Sequence, residues 1–122
     1  MPNPVSWFEI YVQDIERAKK FYGAVLGHEF TRLSSGGLEM WAFPSDYNTY
    51  GVSGTLVKMD GVPSGGNSTL VYFACKDCAV EAGRVEKAGG KIFRPKFSVG
   101  EYGFVALAVD TEGNMFGLHS MA

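Results

Sequence analysis

Glu9 is the side chain whose type and position most strongly suggest chemistry, because it lies inside the apolar and aromatic stretch "WFEIYV", residues 7–12. Side chains of a β-strand alternate between two faces, so Trp7 and Tyr11 share a face with Glu9. Desolvation beside aromatic rings makes a carboxylate a stronger base, which suits proton abstraction near neutral pH. The same carboxylate could instead anchor a ligand.

His119, near the end of the sequence, is the second candidate, since histidine can act as an acid or a polarising donor near neutral pH. A structural interpretation stays open for both residues. Glu9 would then accept hydrogen bonds from a neighbouring Tyr, Trp or backbone amide, or pair with a cation. His119 would be a satisfied wall or interface residue.

Cys75 and Cys78 form the pattern "CKDC", which is superficially similar to a redox dithiol. Cys75 has the parity of the apolar face of its strand, and Cys78 occupies a core position of the helix that follows. We therefore expect two buried small residues rather than a redox pair. Two cysteines are also too few for a disulfide framework.

Composition narrows the class of protein. The 122 residues are 46% apolar and 14% aromatic, which is enough for one domain with a modest core. A formal net charge of -2 does not favour nucleic acid or an anionic membrane as a partner. The sequence has no apolar run of membrane-spanning length, and "MPNPVSW" lacks the blocks of a signal peptide, so we expect a cytoplasmic protein.

The elements that carry these residues occur twice. The stretch "WFEIYVQDIERAKKFYGAVLG" matches "LVYFACKDCAVEAGRVEKAGG" at a constant offset of 63 residues. Each copy predicts a strand, a helix of about a dozen residues capped by Asp14 or Asp77, and a terminal glycine. Strands and turns follow each helix. We predict an α+β fold of two tandem β-α-β-β-β modules in one domain: module one over 5–59, a linker over 60–68 and module two over 69–121.

Both predicted helices are amphipathic. Their apolar faces should pack on the core. The first face comprises Ile15, Ala18, Tyr22, Val25 and Leu26, and the second Cys78, Ala82, Val85 and Ala88.

With its "D-x-x-R-A-x-x-F-Y" helix start at Asp14 and its "D-x-x-G-N" turn at Asp110, the chain resembles the glyoxalase/bleomycin resistance/extradiol dioxygenase superfamily over essentially its whole length. The resemblance implies that the strands curl into a cup around a small ligand, with the helices outside. It also implies a homodimer, since many members are dimers. One cup is built either from one chain or from modules exchanged between chains, and the linker does not decide which.

Metal-dependent members of this superfamily carry a histidine seven residues before the capping Asp and a glutamate three residues after the Asn of the "G-N" turn. Those positions are Trp7 and Leu70 for the histidines and Gly117 for the glutamate, and none can bind a metal. Glu39 could be a fourth ligand, but one carboxylate does not hold an ion. We therefore expect no metal and no cofactor.

By the same resemblance, the face that holds these positions should line the cup. Its predicted ligand-binding residues are Trp7, Glu9, Tyr11, Trp41, Tyr72, Gly117 and His119. The parity of Trp41 and of Phe43 is undecided from sequence. The segment "PSDYNTYG", residues 44–51, could be a lid, an ordinary crossover or a dimer contact.

Three functions remain open. The first is metal-independent binding of a small organic molecule in an aromatic cup with Glu9, which suits a flat or cationic ligand. The second is a lyase or isomerase, similar to lactoylglutathione lyase, with Glu9 as the catalytic base. The third is a structural or regulatory dimer that binds no small ligand.

Overall fold

The computed structural model describes residues 3–33, 38–46 and 48–122. The sequence also predicts a turn at "SSGG", residues 34–37; this stretch and Tyr47 of the 44–51 segment lie outside the described residues. The elements, in chain order, are β1 Phe8–Tyr11, α1 Ile15–Leu26, β2 Thr31–Leu33, β3 Glu39–Ala42, β4 Gly54–Lys58, β5 Tyr72–Ala74, α2 Cys78–Ala82, β6 Lys91–Ser98, β7 Phe104–Val109 and β8 Met115–Ser120.

The strands form two four-stranded sheets of the same topology, ordered β1-β4-β3-β2 and β5-β8-β7-β6. The strand β1 pairs in parallel with β4, and β5 pairs in parallel with β8. The other strand pairs are antiparallel. The α+β prediction of two β-α-β-β-β units is confirmed, with each unit supplying its own hydrogen-bonded sheet.

Both helices begin where the sequence predicts. The carboxylates of Asp14 and Asp77 each accept a hydrogen bond of 3.0 Å from a backbone N–H in the first helical turn. α1 ends at Gly27 in the left-handed conformation, with φ 72°. The predicted length of α2 is wrong. The helix ends after five residues at Gly83, and the chain continues as irregular turns. Glycine costs helix stability, and the turns nonetheless bury Val85.

The core joins the two modules through aromatic rings. Tyr22 of α1 contacts Phe43 of the first module and Phe73 and Phe116 of the second, with ring centroids 5.4 to 5.9 Å apart. The predicted apolar helix faces pack here, since Ile15, Ala18, Tyr22, Val25, Cys78 and Val85 are buried and Leu26, Ala82 and Ala88 are partly buried. Burial across both modules makes them one packed unit.

The turn between β7 and β8 fixes the position of β1 relative to the second module. Asn114 Nδ2 donates to the carbonyl oxygen of Tyr11 at 3.0 Å, and Asn114 Oδ1 accepts from Gly65 N–H at 2.6 Å. Ser64 Oγ also donates to the Tyr11 carbonyl at 2.7 Å. This turn and linker therefore hold the end of β1 beside the start of β8.

Across the described ranges, none of the helices is both long enough and apolar enough to cross a membrane.

Candidate functional site

Glu9 and Tyr11 form a hydrogen-bonded pair on the open face of β1. Tyr11 Oη donates to Glu9 Oε1 at 2.7 Å, and this bond raises the pKa of the Tyr11 hydroxyl, so that it stays a donor. Glu9 is exposed, whereas Ile10 on the opposite face is buried. The desolvation expected for Glu9 is thus absent in the single chain, and the predicted structural hydrogen bond from a tyrosine is present.

We call the line along which β1 meets residues 63–74 and β8 the seam. A cleft of about 270 Å³ opens there, and Glu9 and Tyr11 line it together with Asn67, Asn114 and Met115. Glu9 is the one charged side chain among the described residues that line this cleft. The cleft can therefore take a small molecule with a positive or hydrogen-bond-donating group.

Tyr72 and Gly117 face each other across the parallel pair β5–β8. A Cβ built on Gly117 would overlap the ring of Tyr72, so the ring lies directly over the glycine. Tyr72 is still 49% exposed, because the ring's other side faces solvent. The structure thus brings two of the predicted residues into contact.

His119 lies on the same face of β8 as Gly117, two residues further along. Its Nε2 is 2.6 Å from the backbone carbonyl oxygen of Tyr102, so Nε2 carries the proton and donates. This bond holds the ring against the 3-10 turn Gly100–Tyr102, as expected of a satisfied wall residue.

A larger groove of about 620 Å³ continues the seam toward the start of β4. Tyr72 and Ala74 line one side, and Val5, Tyr50 and Val52 line another. Phe8 and Val71 line both the cleft and the groove, so the two are adjacent. Glu9 and Tyr72 therefore lie in neighbouring cavities rather than in one.

Trp7 precedes β1 and lines a third cavity of about 190 Å³ together with residues 44–46 and 49–53, Asp46 and Tyr50 among them. Tyr50 borders both this cavity and the groove and is 96% exposed. Tyr50 thus lies where the cavity beside Trp7 meets the groove, and the role of residues 44–51 as a lid stays a prediction.

The assignment of Trp41 to the cup wall is wrong. Trp41 pairs with Leu56, which in turn pairs with the buried Ile10, so all three lie on the helix-facing side of the first sheet. The Lys19 ammonium of α1 lies 3.2 Å from the centroid of the Trp41 ring. The sequence left the parity of β3 undecided, and the register with β4 decides it.

The residues present do not fit the metal site that the resemblance implies. Tyr72 opposite Gly117 corresponds to Glu9 opposite Thr55, so the fourth ligand position is Thr55 and not Glu39. Glu39 lies two residues from Trp41 and therefore on the helix-facing side. Thr55 is buried, and its hydroxyl has no hydrogen-bond partner. Within residues 3–33, 38–46 and 48–122, no three His, Cys, Asp or Glu side chains come together as metal ligands.

Sequence reasoning missed Thr55 and the amides of Asn67 and Asn114. The signal for Asn114 was present in the "G-N" turn, which the motif identified without indicating that its side chain reaches β1. Thr55 carried no signal, because its position depends on the register between β1 and β4.

The cysteines are free, with Cys78 buried and Cys75 partly buried. Burial raises the pKa of the Cys75 thiol to about 12, and the nearby Glu81 carboxylate adds to the shift. The thiol therefore has little thiolate character near neutral pH, which is unfavourable for redox chemistry.

Sequence comparison gives two matches. A family model described as bleomycin resistance protein-like N-terminal matches residues 5–40. A glyoxylase-like domain-containing protein of Didymella fabae is 29% identical over 114 residues, which are 90% of this chain and 88% of the relative.

Solved structures share the fold at low identity. An antibiotic binding protein from Streptomyces sp. has a TM-score of 0.69 and 24% identity, over 99% of this chain and 98% of that one. Glyoxalase I from Zea mays has a TM-score of 0.75 and 24% identity, over 95% of this chain. This chain spans 44% of the maize protein, less than half of its length.

Proposed function

Because the chain belongs to the glyoxalase/bleomycin resistance superfamily, we propose that it binds a small organic molecule at the seam without a metal, with Glu9 as the polar anchor. The observation that carries this proposal is the charge pattern of the cleft. Its described lining is apolar or neutral except for one carboxylate, and that carboxylate is exposed at the mouth. Such a site selects a positively charged or donor-rich ligand.

Aromatic side chains support a ligand with a flat part. The neighbouring groove is lined by Tyr50, Tyr72 and Phe73, and its volume of about 620 Å³ is in the range of pockets for drug-sized molecules. Rings of this kind bind flat groups by stacking and cations through their faces. We therefore propose a planar organic cation as the ligand class.

Isothermal titration calorimetry with proflavine, a planar aromatic cation, tests this proposal. Glu9→Gln should weaken binding by about tenfold or more, because a charge-assisted hydrogen bond is lost. Glu39→Gln is the matched control, since this carboxylate lies on the opposite face of the first sheet, and it should bind as the wild type does. Equal affinity of the Glu9→Gln variant and the wild type would contradict the proposal.

The alternative is a lyase or isomerase with Glu9 as base. The Glu9–Tyr11 hydrogen bond supports it, since the Glu9 carboxylate can accept one proton from a substrate while the Tyr11 hydroxyl donates another to it. Formation of S-lactoylglutathione from methylglyoxal and glutathione, lost in Glu9→Gln and retained in Glu39→Gln, would support this function. Binding of proflavine without such turnover would favour the binding protein.

Pairing with a second copy of the chain is a further part of the proposal. Large apolar side chains are exposed around the seam: Val5, Trp7, Tyr50, Val52 and Tyr72. Exposed apolar patches of this kind mark surfaces that a ligand or a partner covers. A second copy packed on these side chains would close the cleft and the groove over a bound ligand.

A further inference from the structure

The backbone conformation of Gly117 does not by itself require a glycine. It is absent from the described glycines with positive φ, so an L side chain could adopt its conformation. The obstacle is the Tyr72 ring, which a Cβ at position 117 would overlap. The residue at 117 is thus set by its neighbour across the strand pair.

The first module shows that this arrangement is not required by the fold. The equivalent pair in the β1–β4 register is Glu9 opposite Thr55, and there a branched side chain occupies the last strand. At this position only the second module has an aromatic ring opposite a glycine; in the first module such a pair, Phe8 opposite Gly54, lies one position earlier, on the other face of the sheet. The fold therefore does not require the pair of Tyr72 and Gly117, and we look for its reason in what the second module binds.

We propose that Tyr72 and Gly117 act as one specificity determinant: the glycine allows the ring to lie against β8 at Gly117, and the ring's exposed side forms a platform for the planar, apolar part of the ligand. The ligand part of this inference rests on the proposed function. The platform faces the groove, and the shared walls Phe8 and Val71 lead from it to the cleft of Glu9. The site then takes an elongated molecule with a flat end at Tyr72 and a cationic end at Glu9.

The same pair bars the carboxylate that metal-dependent relatives are expected to carry at this position. A side chain at 117 and the ring at 72 would occupy the same space, so one excludes the other. At this position the second module can therefore offer an aromatic ring for stacking on a ligand, but no carboxylate for a metal ion.

A double-mutant cycle tests whether the two residues act together. The variants are Gly117→Ala, Tyr72→Ala, the double variant, and Tyr72→Phe as the control that keeps the ring. Gly117→Ala should lower Tm by several degrees in the wild-type background and cause no further loss in the Tyr72→Ala background, because the overlap is then gone. Additive effects of the two changes would overturn the pairing.

Fluorescence titration with N-phenyl-1-naphthylamine, a neutral apolar aromatic probe, tests the platform without using Glu9. Tyr72→Ala and Gly117→Ala should each weaken its binding about fivefold or more, and Tyr72→Phe should retain it, since ring stacking is lost in the first two. Wild-type affinity in Gly117→Ala or in Tyr72→Ala overturns the platform, as does failure of the wild type to bind the probe. Loss of proflavine binding in Glu9→Gln with unchanged probe binding in Tyr72→Ala would leave the proposed function intact and refute this inference alone.

Discussion

Arg17 and Glu112, 95 residues apart in sequence, form a bidentate ion pair that joins the two modules. Arg17 Nε lies 2.7 Å from Glu112 Oε2, and Nη2 lies 3.0 Å from Oε1. Glu112 Oε1 also accepts the backbone N–H groups of Gln13 and Asp14, at 3.0 and 2.9 Å. The two sequence motifs that suggested the superfamily therefore meet here, and they hold β1 and α1 in place.

Acid should weaken this junction through Glu112. Burial opposes ionisation of its carboxylate, but Arg17 and the two backbone donors outweigh burial and lower the pKa to about 2. A carboxylate with a lowered pKa in the folded state stabilises the fold above its unfolded value of about 4.3, and that stability is lost as pH falls toward 2. Asp110 has the opposite effect on the pH dependence of stability: burial raises the pKa of its carboxyl group, so its ionisation in the folded state is disfavoured.

Glu112→Gln should therefore reduce the free energy of unfolding at pH 7 by about 2 kcal/mol and flatten its dependence between about pH 4 and pH 2. Urea unfolding at several pH values measures both effects. Glu16→Gln is the control, because the exposed Glu16 carboxylate pairs with Lys19, and it should change stability by less than about 0.5 kcal/mol. An unchanged acid dependence in Glu112→Gln would refute the assignment.

Tyr22→Phe should destabilise the protein by about 1–2 kcal/mol, because the buried hydroxyl donates to Asp110 Oδ2 at 2.6 Å. Asp110 keeps its bonds from the Glu112 and Asn114 backbone N–H groups, so the fold should survive. Tyr50→Phe is the matched control on an exposed tyrosine. Urea unfolding measures the effect. Equal unfolding midpoints for Tyr22→Phe and the wild type would show that the buried hydrogen bond contributes nothing to stability.

The two tryptophans should respond differently to a ligand. Trp7 lines the cavity that shares Tyr50 with the groove, whereas Trp41 lies under Lys19 on the helix-facing side. In two-dimensional proton–nitrogen spectra, proflavine should shift the indole signal of Trp7 and leave that of Trp41 in place, with Trp7→Phe and Trp41→Phe assigning the signals. A larger shift at Trp41 would restore it to the binding wall.

Cys75 should react with a disulfide reagent at least about a hundredfold more slowly than free cysteine at pH 8, because its thiol pKa is raised to about 12. Cys78 is fully buried and should react only on unfolding. Ellman's assay on the native and urea-unfolded protein measures both rates. Rapid reaction of the native protein, or a disulfide formed by mild oxidants, would revive the redox interpretation.

Pairing of two chains should appear in light scattering coupled to gel filtration as a mass near twice 13.3 kDa. Tyr72→Glu and Val52→Glu, which place charge on the exposed apolar surface, should shift the protein toward the monomer, and Val80→Glu on α2 is the control. A monomer at all concentrations would refute the pairing.

The sequence predicted what depends on local pattern and repetition. The 63-residue offset, the caps Asp14 and Asp77 and the apolar helix faces led directly to two β-α-β-β-β units, because caps and periodicity act within one element. The length of α2 was not predictable in this way, since a glycine inside a helical pattern is often tolerated and here Gly83 ends the helix.

Residues whose role depends on strand register were not predictable. Trp41 was predicted as a wall residue of the cup and Glu39 as a possible metal ligand, yet both lie on the helix-facing side of β3, and Thr55 was not noticed. The pairing with β4 alone fixes their faces. The contact of Tyr72 with Gly117 likewise requires the β5–β8 register. Long-range pairing of this kind leaves no periodicity in a single sequence.

A crystal structure of the protein with bound proflavine tests the central claim most directly. The account predicts one dye at the seam, with a ring nitrogen or amino group within hydrogen-bond distance of the Glu9 carboxylate and the ring system against the exposed side of Tyr72. A dye bound elsewhere, or a seam that stays free of dye while calorimetry shows saturation, would contradict it.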